Sequence, residues 1–309
     1  MKKLNILVSL PTNDNDYQIE QANSAQDVAR RLNLDVQIIH ADNDAITQSQ
    51  QLLKIIQSAP AQRPDAIIFE PAGGTGLPQV GGAAAAAGIG WVVLNREVDY
   101  IGELRKLGKA PVFSITSDHE EVGRIQGRQF ASLLPMGGFV LYIQGPSGSS
   151  AAQQRTTGMY ETKPANVQVR MLKGKWTESS SYQAVSSWLR LCTSREMHID
   201  LVAGQDDSMA QGARKAFQEQ TSTTERERWL SLPYTGCDGL PQTGQAWVRS
   251  GLLAATVVIP PNTGMAIEMF LHAVNAGVQP PERTFTVPES FPPLEALAGG
   301  RGKSQGFSG

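Results

Sequence analysis

Short apolar runs alternate with helical periodicity along almost the whole chain. "NILVSL" leads into an amphipathic run from Tyr17 to Leu32, where Ile19, Ala22, Ala25, Ala29 and Leu32 share one side. "VQIIH" precedes a second run, Asp44–Ser58, in which Ile46, Leu53 and Ile56 can share a face. "AIIFEP" leads to an alanine-rich helix around Val80–Gly88, and "WVVLN" follows it. A further series reads "FVLYI", Ser149–Glu161, "VQVRML", Ser180–Leu191, "IDLVAG" and Ser208–Gln218. Uninterrupted apolar strands separated by helices predict parallel sheets covered on both faces.

Two such series do not fit one sheet comfortably, so the pattern predicts an α/β protein of two doubly wound parallel-sheet lobes. The non-periodic "GKAPVFSITSD" within Gly102–Ser117 reads as the joint between them. The Ala/Gly-rich stretch Ala72–Gly90 reads as a tightly packed helix rather than low complexity. The tail after Ala298, "GGRGKSQGFSG", lacks apolar periodicity, and 299–309 are expected to be disordered.

Composition narrows the classes. The 309 residues suffice for two ordinary domains, and 40% are hydrophobic, 18% charged, with a net charge of −2. Such a chain offers no net attraction to nucleic acid or to an anionic membrane. No apolar run approaches the roughly 20 residues of a spanning helix. "MKKLNILVSLP" starts like a secretory signal, but Ile6–Leu10 is shorter than the ~7–15 residues of a signal core and no small-residue cleavage site follows. A first buried strand is the better reading. Two origins stay open: a mature form whose signal has been removed, or a cytosolic protein. Cys192 and Cys237 are far apart, with no disulfide pattern, and read as two buried thiols.

Familiar catalytic signatures fail one by one. "GRGKS" would need an earlier glycine at Leu297, with a strand before it and a helix after it. In "PAGGTGLPQVGG", Gln79 stands at the third glycine position of a dinucleotide loop. "GPSGSS" ends on serine where a nucleophile elbow needs glycine. His40, His119, His198 and His272 have no metal-ligand spacing and read as surface or strand-end residues. Neither a cofactor nor a metal is expected.

What the chain carries instead stands just after the strands. In open parallel sheets ligands bind beyond the strands' carboxyl ends, where helix N-termini and backbone donors point outward. "PTNDNDYQ", "NREVDY", "QGPSGSSAAQQR", "KGKW", "GQDD" and "GCDG" place Asn13, Asn15, Tyr17, Asn95, Arg96, Arg155, Trp176, Asp206 and Asp238 there. Carboxylates, amides, guanidinium forks and flat aromatics suit a polyhydroxylated ligand. Each hydroxyl donates and accepts, and C–H faces stack on rings.

With "SDHEEVGRIQG", "SGSSAAQQRTTGM", "AGQDDSMAQGARKAF" and "GCDGLPQTGQAWVRSGLLAATV" in this order, the chain resembles periplasmic sugar-binding proteins of the ribose-binding type. Their type I fold is shared with the effector domains of lac-repressor-like regulators. The resemblance runs from about Asn5 to about Glu295. It implies that Tyr17 keeps one of two first-loop aromatics while Gln18 replaces the second. It also implies that Asn95-Arg96 stands for an Asp-Arg pair, that Arg155 and Trp176 contact the ligand, and that Asp206 replaces an asparagine. Asp238 matches the family's "GFDG" aspartate. A polar position near the last crossover falls at Ile259, with Asn262 as its candidate substitute. The altered polar set argues against ribose itself.

The resemblance further implies three crossovers, near Ser117, Ile259 and Phe285. The N-terminal lobe would take 1–116 and 260–283, the other 117–259 and 284–298. A monosaccharide or polyol would close the cleft between the lobes. The implied protein is a periplasmic monomer that hands its sugar to the permease of an ABC transporter, or reports it to a membrane sensor. A cytosolic effector module is the first rival. A sugar-modifying enzyme using Asp206 and Asp238 as acid and base is the second. Asp206 is expected to face the ligand and Asp207 to cap the helix starting at Ser208; the plainer alternative makes both helix-start acids.

Overall fold

The apolar run "NILVSL" forms β1 (Asn5–Leu10), followed by α1 (Asp16–Leu32), β2 (Asp35–His40), α2 (Ala45–Ile56) and β3 (Ala66–Phe69). Next come α3 (Pro78–Ala86), β4 (Gly90–Leu94), α4 (Ile101–Arg105) and β5 (Val112–Ser117). The chain continues with α5 (His119–Leu133), β6 (Gly138–Gln144), α6 (Ser150–Thr162), β7 (Val167–Lys173) and α7 (Glu178–Leu189). Then follow β8 (Leu201–Gly204), α8 (Asp207–Gln218), α9 (Thr223–Leu230), β9 (Tyr234–Asp238), α10 (Gly244–Arg249) and β10 (Ala255–Val258). It ends with α11 (Thr263–Ala276), β11 (Arg283–Thr286), β12 (Glu289–Phe291) and α12 (Leu294–Gly299). This computed structural model describes residues 3–74, 76–108, 110–191, 198–220 and 222–299.

The chain forms two units, Met1–Ser117 with Pro261–Thr286, and Asp118–Pro260 with Val287 onward. In the first, the strand order is β11-β5-β4-β3-β1-β2, parallel throughout. Because the inner strands β1, β3, β4 and β5 are buried on both sides, alternate residues feed two cores. Leu7, Ile67, Phe69, Trp91 and Val93 face α2 and α3; Ile6, Val8, Ile68, Val92 and Leu94 face α1 and α11. Phe69 and Trp91 meet with ring centroids 4.4 Å apart.

The second unit repeats the plan in the order β12-β10-β9-β8-β6-β7, with only β12 antiparallel to its neighbour. Val140, Tyr142, Leu201 and Ala203 pack on Phe130 and Leu133 of α5 and Met159 of α6. Leu141, Ile143 and Val202 pack on Val185, Trp188, Met209, Phe217 and Trp229.

Several helices begin where a short polar side chain accepts a backbone N–H three residues on. Asn15, Asp44, Asp118, Ser149, Thr177, Asp206 and Ser222 do so for α1, α2, α5, α6, α7, α8 and α9. In the parallel βα units these caps stand just beyond the strands' carboxyl ends, which gathers polar chemistry at one rim of each sheet.

Four sequence expectations need correction. Gly102–Ser117 is not an irregular joint: it carries α4 and the fully buried β5 between β4 and β11, and the chain passes to the second unit only after Ser117. Residues 284–286 belong to the first unit, because Phe285 pairs with Thr116 in register. Ile19 is 43% exposed and α1 buries Tyr17, Gln18, Gln21, Ala25, Val28 and Ala29 instead. Ile46 is likewise exposed and α2 buries Gln48, Leu52 and Ile56. Amides displaced apolar residues from those faces because each has partners. Gln48 Nε2 donates to Ser9 Oγ and the Glu70 carbonyl, while its Oε1 accepts from Ala72 N.

Cys237 is a buried free thiol on β9, and burial pushes its pKa well up. Cys192 and residues 300–309 of the tail lie outside the described residues.

Candidate ligand-binding site

In the first unit, polar side chains converge on Glu70, the residue after β3. Its Oε2 accepts from Gln18 Nε2 at 3.0 Å and from Asn95 Nδ2 at 2.9 Å, and its Oε1 lies 3.6 Å from Arg96 Nη1. Arg96 Nη1 also donates to the Asn95 carbonyl at 2.6 Å. Asn95 follows β4 in the left-handed region (φ 54°), which turns its amide into this cluster. Asn95 Nδ2 reaches the Tyr17 hydroxyl at 3.4 Å, and Asn95 Oδ1 accepts from Asn262 Nδ2 at 2.7 Å. Gln21 completes the floor. Its Nε2 donates to Asn262 Oδ1, and its Oε1 accepts from the backbone of Asn262 and Thr263.

Of the residues picked from sequence, the structure thus gathers Tyr17, Asn95 and Arg96. Asn15 is the α1 cap, accepting from Gln18 N at 3.2 Å, and Asn13 is exposed in the bend after β1. Sequence reasoning missed Glu70 as the hub. The signal existed, since "AIIFEP" puts a carboxylate just past a strand, as "GQDD" does.

In the second unit Arg155 of α6 is 6% exposed. Its Nη1 donates to the Gln205 carbonyl and its Nε to His119 Nδ1 at 3.4 Å. The guanidinium lies over the Trp176 indole, 5.2 Å from the ring centroid. His119 is therefore a buried partner of Arg155; of the two readings, surface or strand end, burial removes the first, and the residue stands just after β5. Gln205, fully buried and also missed, ties three segments together. Its Nε2 donates to Tyr142 Oη, Ala152 O and Thr156 Oγ1, and its Oε1 accepts from Gly145 N.

Trp176 holds φ 63°, an outlying conformation for a bulky residue that costs of order 1–3 kcal/mol. Gly145 permits it: a Cβ there would lie 2.4 Å from the indole. Asp238, at the end of β9, is also left-handed, at φ 94°.

The helix cap expected at Asp207 falls on Asp206. Asp206 is the N-cap of α8, with extended φ −140° and ψ 167°, accepting from Met209 N at 2.5 Å. Asp207 is the first helical residue and caps nothing. Its Oδ1 accepts from Thr256 Oγ1 at 2.6 Å and its Oδ2 from Gly239 N at 2.8 Å, joining α8 to β10 and to the loop after β9. Gly244 makes room, since a Cβ there would meet Oδ2 at 2.0 Å. The expectation failed by one residue because the chain enters the helix at 207 rather than 208. Burial pushes the Asp207 carboxyl up to about 8, against the lowering effect of its two hydrogen bonds.

The family of the periplasmic binding protein domain matches residues 6–276. This chain belongs to it. The chain is 24% identical over 259 residues to the D-allose-binding periplasmic protein of Escherichia coli K12, covering 82% of this chain and 78% of that one. A periplasmic solute binding protein of an ABC transporter from Actinobacillus succinogenes 130z, solved with bound D-allose, matches with a TM-score of 0.79 at 20% identity. The match covers 96% of this chain and 100% of that one. A galactofuranose binding protein also reaches 0.79, at 21% identity, covering 98% of each chain. These likenesses establish the type I fold: two α/β lobes with parallel-dominated sheets.

Each unit holds group types that can bond hydroxyls: in the first, amides and a carboxylate around Glu70; in the second, the guanidinium of Arg155 over the indole face of Trp176. Among the described residues no three His, Cys, Asp or Glu side chains gather as metal ligands, and no helix is long and apolar enough to cross a membrane.

Proposed function

We propose that this chain reversibly captures a neutral monosaccharide or polyol and delivers it to the permease of an ABC-type importer, acting as a periplasmic monomer. The observation that carries the reading is the Arg155 fork, held on the Gln205 carbonyl and laid over Trp176 in a strained conformation. A guanidinium fixed in this way donates to hydroxyls without an ordering cost at the moment of binding. The D-allose and galactofuranose named for the relatives are neutral sugars, in keeping with this chemistry. Capture makes and breaks no covalent bond.

Calorimetry with aldoses, furanoses, inositols, amino acids and sugar phosphates tests it. Saturable binding of a neutral sugar or polyol is expected; binding of amino acids alone would sink the reading. Trp176→Ala should weaken that binding by about 1–3 kcal/mol through lost apolar and stacking contact. Gly145→Ala, which displaces the indole without removing it, should weaken binding in the same direction. Parental affinity in both variants would remove Trp176 from the site.

A further inference from the structure

Glu70 is 4% exposed, and in its pair with Arg96 the two side chains keep only 5% and 11% of their exposure. Its carboxylate oxygens accept from Gln18 Nε2 and Asn95 Nδ2 and pair with Arg96 Nη1 at 3.6 Å, so donors face it from three residues. Glu70 and Arg96 bring opposite charges, while Tyr17, Gln18, Asn95 and Asn262, which bond in the same cluster, are neutral. Gln18 adds a second observation. Its Nε2 is committed to Glu70, which fixes the amide's orientation, and its Oε1 is buried with no protein partner although the residue is only 7% exposed. A buried carbonyl oxygen of this kind is costly unless something donates to it.

We propose that Glu70 determines the charge specificity of the sugar site. By neutralising Arg96 it makes this rim select a neutral polyhydroxylated ligand over an anionic one, while Gln18 Oε1 accepts a ligand hydroxyl. The inference rests on the function proposed above and names the selectivity of that same site. In a poorly hydrated setting an unbalanced guanidinium attracts an anion strongly, and a carboxylate bound to it cancels that attraction. Glu70 acts through Arg96 and Gln18 and is a positioning residue, so a change in preference between ligands is the decisive readout.

The test is calorimetry with matched pairs: D-ribose and D-ribose 5-phosphate, D-allose and D-allose 6-phosphate, D-galactose and D-galacturonate. The parent should bind a neutral member and discriminate against its anionic partner. Glu70→Gln should shift that ratio toward the anion by about tenfold or more, the scale of one charge-assisted contact. Glu70→Asp, which keeps the charge, should hold the parental preference. Gln18→Leu should weaken both members of a pair alike. If Glu70→Gln does not fold, the double variant Glu70→Gln with Asn95→Asp carries the test, because it returns a carboxylate beside Arg96 and should keep the neutral preference. A folded Glu70→Gln protein with the parental ratio overturns the assignment, as does a double variant that favours the anion. Parental affinity in Gln18→Leu removes the hydroxyl contact. A parent that binds no neutral member overturns the proposed function, and Glu70 with it.

Discussion

Asp207→Ala should destabilise the fold by about 2–4 kcal/mol, more than the about 0.5–2 kcal/mol expected for losing the Asp206 cap. Removing the Asp207 carboxyl strands the Gly239 N–H and the Thr256 hydroxyl, and Thr256 is fully buried. It also empties the space against Gly244. A sharper signature lies in the pH dependence. The carboxyl sits at about 8 when folded and near its ordinary 3.8 when unfolded, so between those values the native state holds one more proton than the unfolded state. Its contribution to stability is therefore fullest below about 4, declines as pH rises toward about 8, and is flat above. The slope in that window is about 1.4 kcal/mol per pH unit. Asp207→Asn cannot titrate and should lack this decline. Denaturant midpoints at pH 5, 7 and 9 for parent and Asp207→Asn measure the difference. Parallel pH profiles for the two proteins would show that the carboxyl is ionised throughout.

Arg155→Ala should lower sugar affinity at least about a hundredfold, the scale of 2.7 kcal/mol or more for truncating a buried, hydrogen-bonded charge. Arg155→Lys should not rescue it. The Gln205 carbonyl and His119 Nδ1 are engaged by two different guanidinium nitrogens in one plane, and that plane also covers the Trp176 indole. An ammonium offers neither the fork nor the flat face. Titration with the sugar found for the parent, on variants verified as folded by circular dichroism, decides. Wild-type affinity in Arg155→Ala would make Arg155 a purely structural support for the loop after β8.

The alternation of apolar strands and helical runs determined the architecture because strands buried on both faces need no polar alternation and must be covered by helices. β1, β3, β4, β6 and β8 all appear where such runs stand. Position just past a strand end was equally legible for Asn95, Arg96 and Trp176, since chain order alone puts such residues at the carboxyl rim of their sheet. The tertiary structure decided what a single chain position cannot express. Gln18, Gln21 and Gln48 look like solvent-facing helix residues in sequence, yet they are buried because their partners arrive from segments far along the chain. Glu70 became a hub only when β3 was set beside β4 and α1. The aspartate pair turned on a single residue of helix phase: the residue in extended geometry caps, and the next one points inward to Thr256 and Gly239. Apolar periodicity reports how much surface each segment must bury. Which polar atoms meet depends on three-dimensional neighbours, and hydrogen bonds, being directional and short, are settled only there.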